Sequence, residues 1–488
     1  MMMKMKKTVW IIAGAMTLVS CKKYLAEEPN KEVSIQTVSQ LEALVDNAPL
    51  FAYENNQTAC FSSDDYEITK EAYKLNPGAF SANTLQYYVF SKDGVADMAS
   101  DDFWTGEYKK IFTANLILKN IDKVSGDDAT RARVKADAYF IRAMSYWAMA
   151  NFYCAPYSAK NLNELGLPLK KTIEYTESLK RATLKETYDF ILSDIAEAEK
   201  VTYEDVDPRR AWRVSKKAIA AFKSRYYLFI GDYAKAVEQA DLALGSNSVK
   251  LVDFNTIKAG ITRNFSNPAA TLQYCELYTW NSTLFLFWQE MYYSRFTQNR
   301  SWYAPSAALM NSYDAGNDMR YKLLFIQNGG REFSIVTPMT ARYIHFNTGY
   351  YIPAGFTRGE VLLNKAEALA RLGDVAGAME AANLLRVKRM STYVPLAANG
   401  KDEAIRQVLA ERRREFPFSM RWYDIRRLSV NDYTGDEITV TRDFYNVTAT
   451  GTDVNTPKTY TLDSKRMLVP INTVEINSSN GQIAQNPY

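Results

Sequence analysis

Eleven aromatic residues fall within the thirty positions from Tyr274 to Tyr303, nearly three times the frequency in the chain as a whole. Flat rings can stack on the C–H face of a sugar, while amides and carboxylates take its hydroxyls. Trp302, Tyr303 and Asn299 lie in the polar stretch TQNRSWYAPS, and Trp280 is followed by Asn281 and Ser282. These four are the candidate ligand contacts of the segment. Phe285, Phe287 and Trp288 in LFLFW read as core. Asp64, Asp65 and Tyr66 form a second polar and aromatic group near the start of the chain. Two carboxyls could also hydrolyse a glycosidic bond, and with 55 acidic residues the composition leaves that open.

Other chemistry is poorly supplied. His345, in RYIHFN, is the single histidine, so poly-imidazole metal sites and HExxH helices are excluded. No GxSxG, GxGxxG or GK[ST] occurs. Asp314, Asn317 and Asp318 echo a calcium loop but lack its remaining ligands and terminal glutamate. No metal or cofactor is expected. The formal charge is +4, too small for a broad basic surface directed at nucleic acid. ERRREFPFSMRWYDIRRL, 411–428, gathers six arginines, but Glu411, Glu415 and Asp424 interleave. That pattern suits arginines clamping neighbouring helices.

Cys21 is set apart from the other three cysteines. Three lysines, an apolar run from Val9 to Val19 and the small Ser20 precede it, the order of an export signal. Leu18-Val19-Ser20-Cys21 resembles the bacterial lipobox, in which the cysteine becomes N-terminal and carries lipid. The apolar run would make roughly half the helix length that crosses a bilayer. Cys60, Cys154 and Cys275 are widely spaced and read as small buried hydrophobes, with one disulfide among them left open.

The elements that must position the rings are mainly helices. Residues 131–153 are apolar nearly all round, and Tyr188, Ile191, Leu192, Ile195 and Ala198 keep three-four spacing. GDYAKAVEQA from Gly231 and GDVAGAMEAA from Gly373 agree at six of ten positions, each after an Ala- and Leu-rich helix. Gly-Asp stops one helix and caps the next. This predicts helical hairpins of tetratricopeptide type. From about 246 to 355 the helical period fades, with TLQYCELYTW and LFLFWQEMYY reading as strands or extended stretches. Residues 431–458 read as loops with short strands.

Taken in order, CKKYLAEEP, RVKADAYFIRAMSYWAMANFYCAPY, RVSKKAIAAFKSRYYLFIGDYAKAVEQADLAL, TRGEVLLNKAEALARLGDVAGAMEAANLLRVKR, ERRREFPFSMRWYDIRRL and LVPINTVEI with a closing QNPY resemble the SusD/RagB family. These are surface nutrient-binding lipoproteins of Bacteroidetes. Pro417 and Ser419 depart from the family pattern, which more often has an acidic residue and Gly there. The resemblance implies a mostly α fold: a lipoprotein signal at 1–20, then one domain over 21–488. Its tetratricopeptide-like parts would be about 105–245 and 356–428, its ligand-bearing aromatic part about 246–355, and its C-terminal loops about 429–488. It further implies a non-catalytic binder, lipid-anchored through Cys21 to the outer membrane at the cell surface. Such a protein delivers oligosaccharide, or alternatively peptide, to a SusC-like TonB-dependent transporter. The early region borders the ligand in such proteins, which adds Asp65 and Tyr66 to the candidate contacts.

Overall fold

The computed structural model describes residues 35–264, 271–277, 288–298, 304–327, 341–343 and 351–488. Helices dominate. Helix α1 (Val38–Val45) opens with a capping box, Thr37 and Gln40 satisfying each other's backbone amides. Helices α2 (Asp102–Asn120) and α3 (Asp128–Tyr153) follow as an antiparallel pair, begun by Asp101 and Asp127 side chains that accept first-turn N–H groups. As the all-round apolar pattern predicts, α3 is buried from Phe140 to Tyr153. It packs against α1, α2 and α4 (Leu184–Ala198).

Two hairpins form the other half of the body. Helices α5 (Lys216–Ile230) and α6 (Tyr233–Leu244) meet at Gly231, which is left-handed with φ 82°. Beyond the short α7 (Met319–Leu324), helices α8 (Arg358–Leu372) and α9 (Val375–Arg386) meet at Gly373, φ 93°. In both turns the following aspartate, Asp232 or Asp374, caps the second helix. The repeated Gly-Asp therefore does in space what it does on paper. Alanines 236, 240 and 243 of α6, and 378, 381 and 382 of α9, are buried, so the second helix of each pair lies close to the first. α6 also packs on α8, and α10 (Lys401–Glu415) on α8 and α9. The short α11 (Arg421–Leu428), every residue but Arg421 buried, completes the set.

Strands are few and short. β1 (Tyr53–Glu54), β2 (Met291–Tyr293), β3 (Phe296–Gln298), β4 (Tyr351–Pro353) and β5 (Phe356–Thr357) form two small sheets, β1-β3-β4 and β2-β5. The C-terminal part differs from its expectation. Instead of loops with short strands it has one long antiparallel hairpin, β6 (Thr441–Thr448) with β7 (Gly451–Thr461). Arg442 and Phe444 on β6 point inward, and that alternation holds the register. The core is one large cluster running through α3, α5 and the strands, with two satellites. One lies among α8, α9 and α10, the other among α1, α2 and α3. Cys60, Cys154 and Cys275 are buried within the large cluster, and none of them is in a disulfide. No described helix is long and apolar enough to cross a membrane.

Candidate ligand-binding site

The described strands of this region include a small sheet of order β1-β3-β4. β1 runs parallel to β3, with Tyr53 opposite Phe296, and β4 runs antiparallel to it, with Tyr351 opposite Gln298. This register brings two half-buried tyrosines together: the rings of Tyr53 and Tyr351 are 5.0 Å apart, tilted by 31°.

Beneath the sheet lies buried charge. Arg295 donates from Nε to Glu54 at 2.5 Å and from Nη2 to Glu107 at 2.8 Å. Glu107 also takes Lys110 at 2.5 Å, and Lys110 donates onward to the Tyr53 carbonyl at 2.6 Å. Burial, helped by the neighbouring Arg295 cation, pushes the Lys110 ammonium down to about 8 against the pull of Glu107 and Glu54. The carbonyl of Arg295 accepts from Ala354 and Gly355 N–H, which ties β3 to β5. Gly355 must be glycine here, since a Cβ would lie 2.0 Å from the Tyr293 carbonyl oxygen.

Two further clamps fix the flanks. Arg389 bridges Glu290, just before β2, to Glu415 at the end of α10. Arg320 of α7 is fully buried among Asp318, Glu411 and Glu415. Asp314, from the calcium-like stretch, instead caps its own turn at Gly316 and Asn317.

The early candidates come out differently from expectation. Asp65 and Tyr66 are fully buried, so neither side chain meets a docked ligand in this conformation. Asp65 accepts from Arg413 Nε at 2.8 Å and from the Phe418 N–H at 3.0 Å, where Phe418 is left-handed with φ 65°. Burial raises the Asp65 pKa, opposed by Arg413. Tyr66 packs edge-on against Phe61 and Tyr88. Their backbones matter more than their side chains. Tyr66 bridges Pro305, Glu67 N–H donates to the Ala304 carbonyl at 3.1 Å, and Ser306 N–H to the Asp65 carbonyl at 2.7 Å. The segment 64–67 thus anchors the chain that follows Trp302 and Tyr303. Arg442 holds the same segment from behind, donating to the carbonyls of Phe61, Ser63 and Tyr66 while stacking 3.9 Å over Tyr88. Trp280, Asn299, Trp302, Tyr303 and Cys21 lie outside the described residues.

The arginine cluster behaves as its sequence predicts. Arg412 pairs with Asp424, Arg413 with Asp64 and Asp65, Arg414 with Glu411, Arg421 with Asp64, and Arg427 with Glu367 and Asp424. Arg426 is the exception. It reaches only the Cys154 carbonyl, and burial without a carboxylate pushes it down to about 10. Tyr53, Tyr351 and the Glu54–Arg295–Glu107–Lys110 network escaped sequence reading, because their meeting depends on a parallel pairing across more than two hundred residues. The tyrosine pair in NTGYYIP was the one available signal.

Two family models match this chain: SusD-like_3, described as starch-binding associating with outer membrane, over residues 23–228, and the SusD family over residues 358–488. The chain belongs to the SusD/RagB family. The two matches flank the aromatic segment on either side. SusD-like protein P2 of Formosa agariphila is 25% identical over 68% of this chain and 72% of its own length. A SusD superfamily protein from Bacteroides thetaiotaomicron superposes with TM-score 0.64 at 18% identity, covering 93% of this chain and all of that one. A laminarin-binding SusD-like protein superposes with TM-score 0.60 at 17% identity, over 93% of this chain and all of its own. The SusD-like fold is shared across these proteins.

Proposed function

We propose that this protein is a non-catalytic, lipid-anchored receptor at the outer face of the outer membrane. It captures an oligosaccharide and passes it to a SusC-like TonB-dependent transporter. The observation that carries this reading is membership of a family whose matched model is described as starch-binding associating with outer membrane. The aromatic segment between the two matched halves supplies suitable chemistry. Trp302, Tyr303 and Trp280 offer ring faces and Asn299 a hydroxyl partner, and Tyr53 with Tyr351 supplies a further ring pair. Arg295, Arg320 and Arg389 are each buried in ion pairs on the described flanks of this segment. Diacylglyceride on Cys21 carries the two chains that stable membrane attachment needs, and a further acyl chain makes three.

The test is calorimetry of the mature protein against a panel of neutral and acidic oligosaccharides, with peptides as a separate arm. Saccharide binding that falls at least tenfold in Trp302→Ala/Tyr303→Ala supports the reading. Peptide binding without saccharide binding would overturn the choice of cargo. Mass spectrometry of the membrane fraction should find Cys21 acylated and N-terminal, and the transporter should co-purify.

A further inference from the structure

The helical body carries a cavity of its own. It measures about 420 Å³ and lies between the α5–α6 turn, the start of α10 and the end of α11. That volume is in the range of small-molecule sites. None of the residues lining it belongs to the aromatic segment.

Its walls combine rings with fixed polar groups. Tyr157, Tyr233 and Tyr433 line it, all half-buried. Arg371 and Arg427 form part of the wall although both are more than nine-tenths buried. Their charges are already matched: Arg371 lies 2.7 Å from Glu367 and 2.6 Å from Asp436, and Arg427 lies 2.6 Å from Glu367 and 2.8 Å from Asp424. These pairs lock the wall in place and leave little net charge for an anion. Two charged groups remain unengaged at the rim. Lys401, in the first turn of α10, and Asp432, after α11, have no hydrogen-bond or ion-pair partner among the described residues. One is a donor and the other an acceptor, and their charges cancel.

A rigid cavity of ring faces with an unused donor and acceptor and no net charge fits a neutral polyhydroxylated ligand. A nucleotide or an acidic sugar would lack a counter-charge, and a purely apolar ligand would bury Lys401 and Asp432 unpaired. We propose that this cavity is a second binding site, separate from the aromatic segment, taking one or two units of a neutral saccharide. This rests on the saccharide-binding reading above and adds a second place of attachment to it.

The experiment is calorimetric titration of the mature protein with laminarihexaose and maltohexaose, and with a hexuronate oligosaccharide as the charged comparator. The wild type should bind a neutral hexasaccharide at two sites. Tyr433→Ala and, separately, Lys401→Gln should each weaken one of them tenfold or more. Both side chains reach the surface, and the melting temperature of each variant reports whether it is folded. Trp302→Ala/Tyr303→Ala should leave that same site intact. A single site in the wild type, abolished by Trp302→Ala/Tyr303→Ala and unmoved by Tyr433→Ala and Lys401→Gln, would overturn the second site while leaving the receptor reading standing. Tighter binding of the hexuronate at the Tyr433 site would overturn its neutral character. Absence of binding by any of the three sugars would remove both.

Discussion

At the scale of single residues, buried arginine chemistry holds this protein together. Glu411 is fully buried and accepts from Arg320, Arg386 and Arg414. Glu411→Gln would leave three guanidinium groups short of a counter-charge, and removing one partner of a buried pair costs about 3–5 kcal/mol. Urea unfolding should show a loss of that order. The same group sets a pH dependence. Burial favours its neutral form, but Arg320 first, with Arg414 and Arg386, holds its carboxyl down at about 2, against an ordinary 4.5. A folded-state pKa below the unfolded one gives stability that is complete above about 4.5 and lost as pH falls towards 2. Stability measured from pH 7 to pH 2.5 should therefore drop below about pH 4.5, and the drop should shrink in Glu411→Gln. Sequence reading identified the clamping arginines in 411–428, because interleaved acids signal pairing. It could not name Asp64 or Glu367 as partners, which come from hundreds or tens of residues away.

At the scale of elements, the turns were the most legible feature. Gly231 and Gly373 both sit in the left-handed region, and a Cβ at either would meet nothing within 4 Å. The cost of Gly231→Ala or Gly373→Ala is therefore backbone strain alone, about 1 kcal/mol each. A modest fall in melting temperature is the expected result for both, with saccharide binding unchanged in Gly373→Ala, whose position lies outside the cavity wall. Gly355→Ala is a different case, because the new Cβ would collide with the Tyr293 carbonyl and the Arg295 N–H. It should lower the melting temperature further than Gly231→Ala and weaken saccharide binding as well, since β3 and β5 frame the aromatic segment. The C-terminal hairpin shows where element reading fails. Thr, Asp and Asn in 431–458 look like loop composition, yet Arg442, Phe444 and Tyr445 of β6 are buried and hold it. A strand with one face in water can be polar at every second position.

At the scale of the whole molecule, the two halves of the helical body surround one large core, and the short strands sit where those halves meet the irregular segment. Residues from 53–67 meet the chain at 290–298 and at 304–306 although they are far apart in sequence. Full-length mature protein should bind a neutral oligosaccharide, and Trp302→Ala/Tyr303→Ala should reduce its affinity at least tenfold without lowering the melting temperature. Equal affinities in calorimetry would move the site away from these two rings.

Local pattern alone settled the helices, their Gly-Asp turns, the buried cysteines and the pairing role of the arginines, because each of these follows from neighbours within a turn or two of the chain. Family membership was legible too, from the order of six such segments. Tertiary structure decided which carboxylate meets which arginine. It turned Asp65 and Tyr66 inward, set Tyr53 beside Tyr351 and opened a cavity between α5, α10 and α11. Those outcomes depend on packing between distant segments, where a side chain's exposure is fixed by what folds over it rather than by its own polarity.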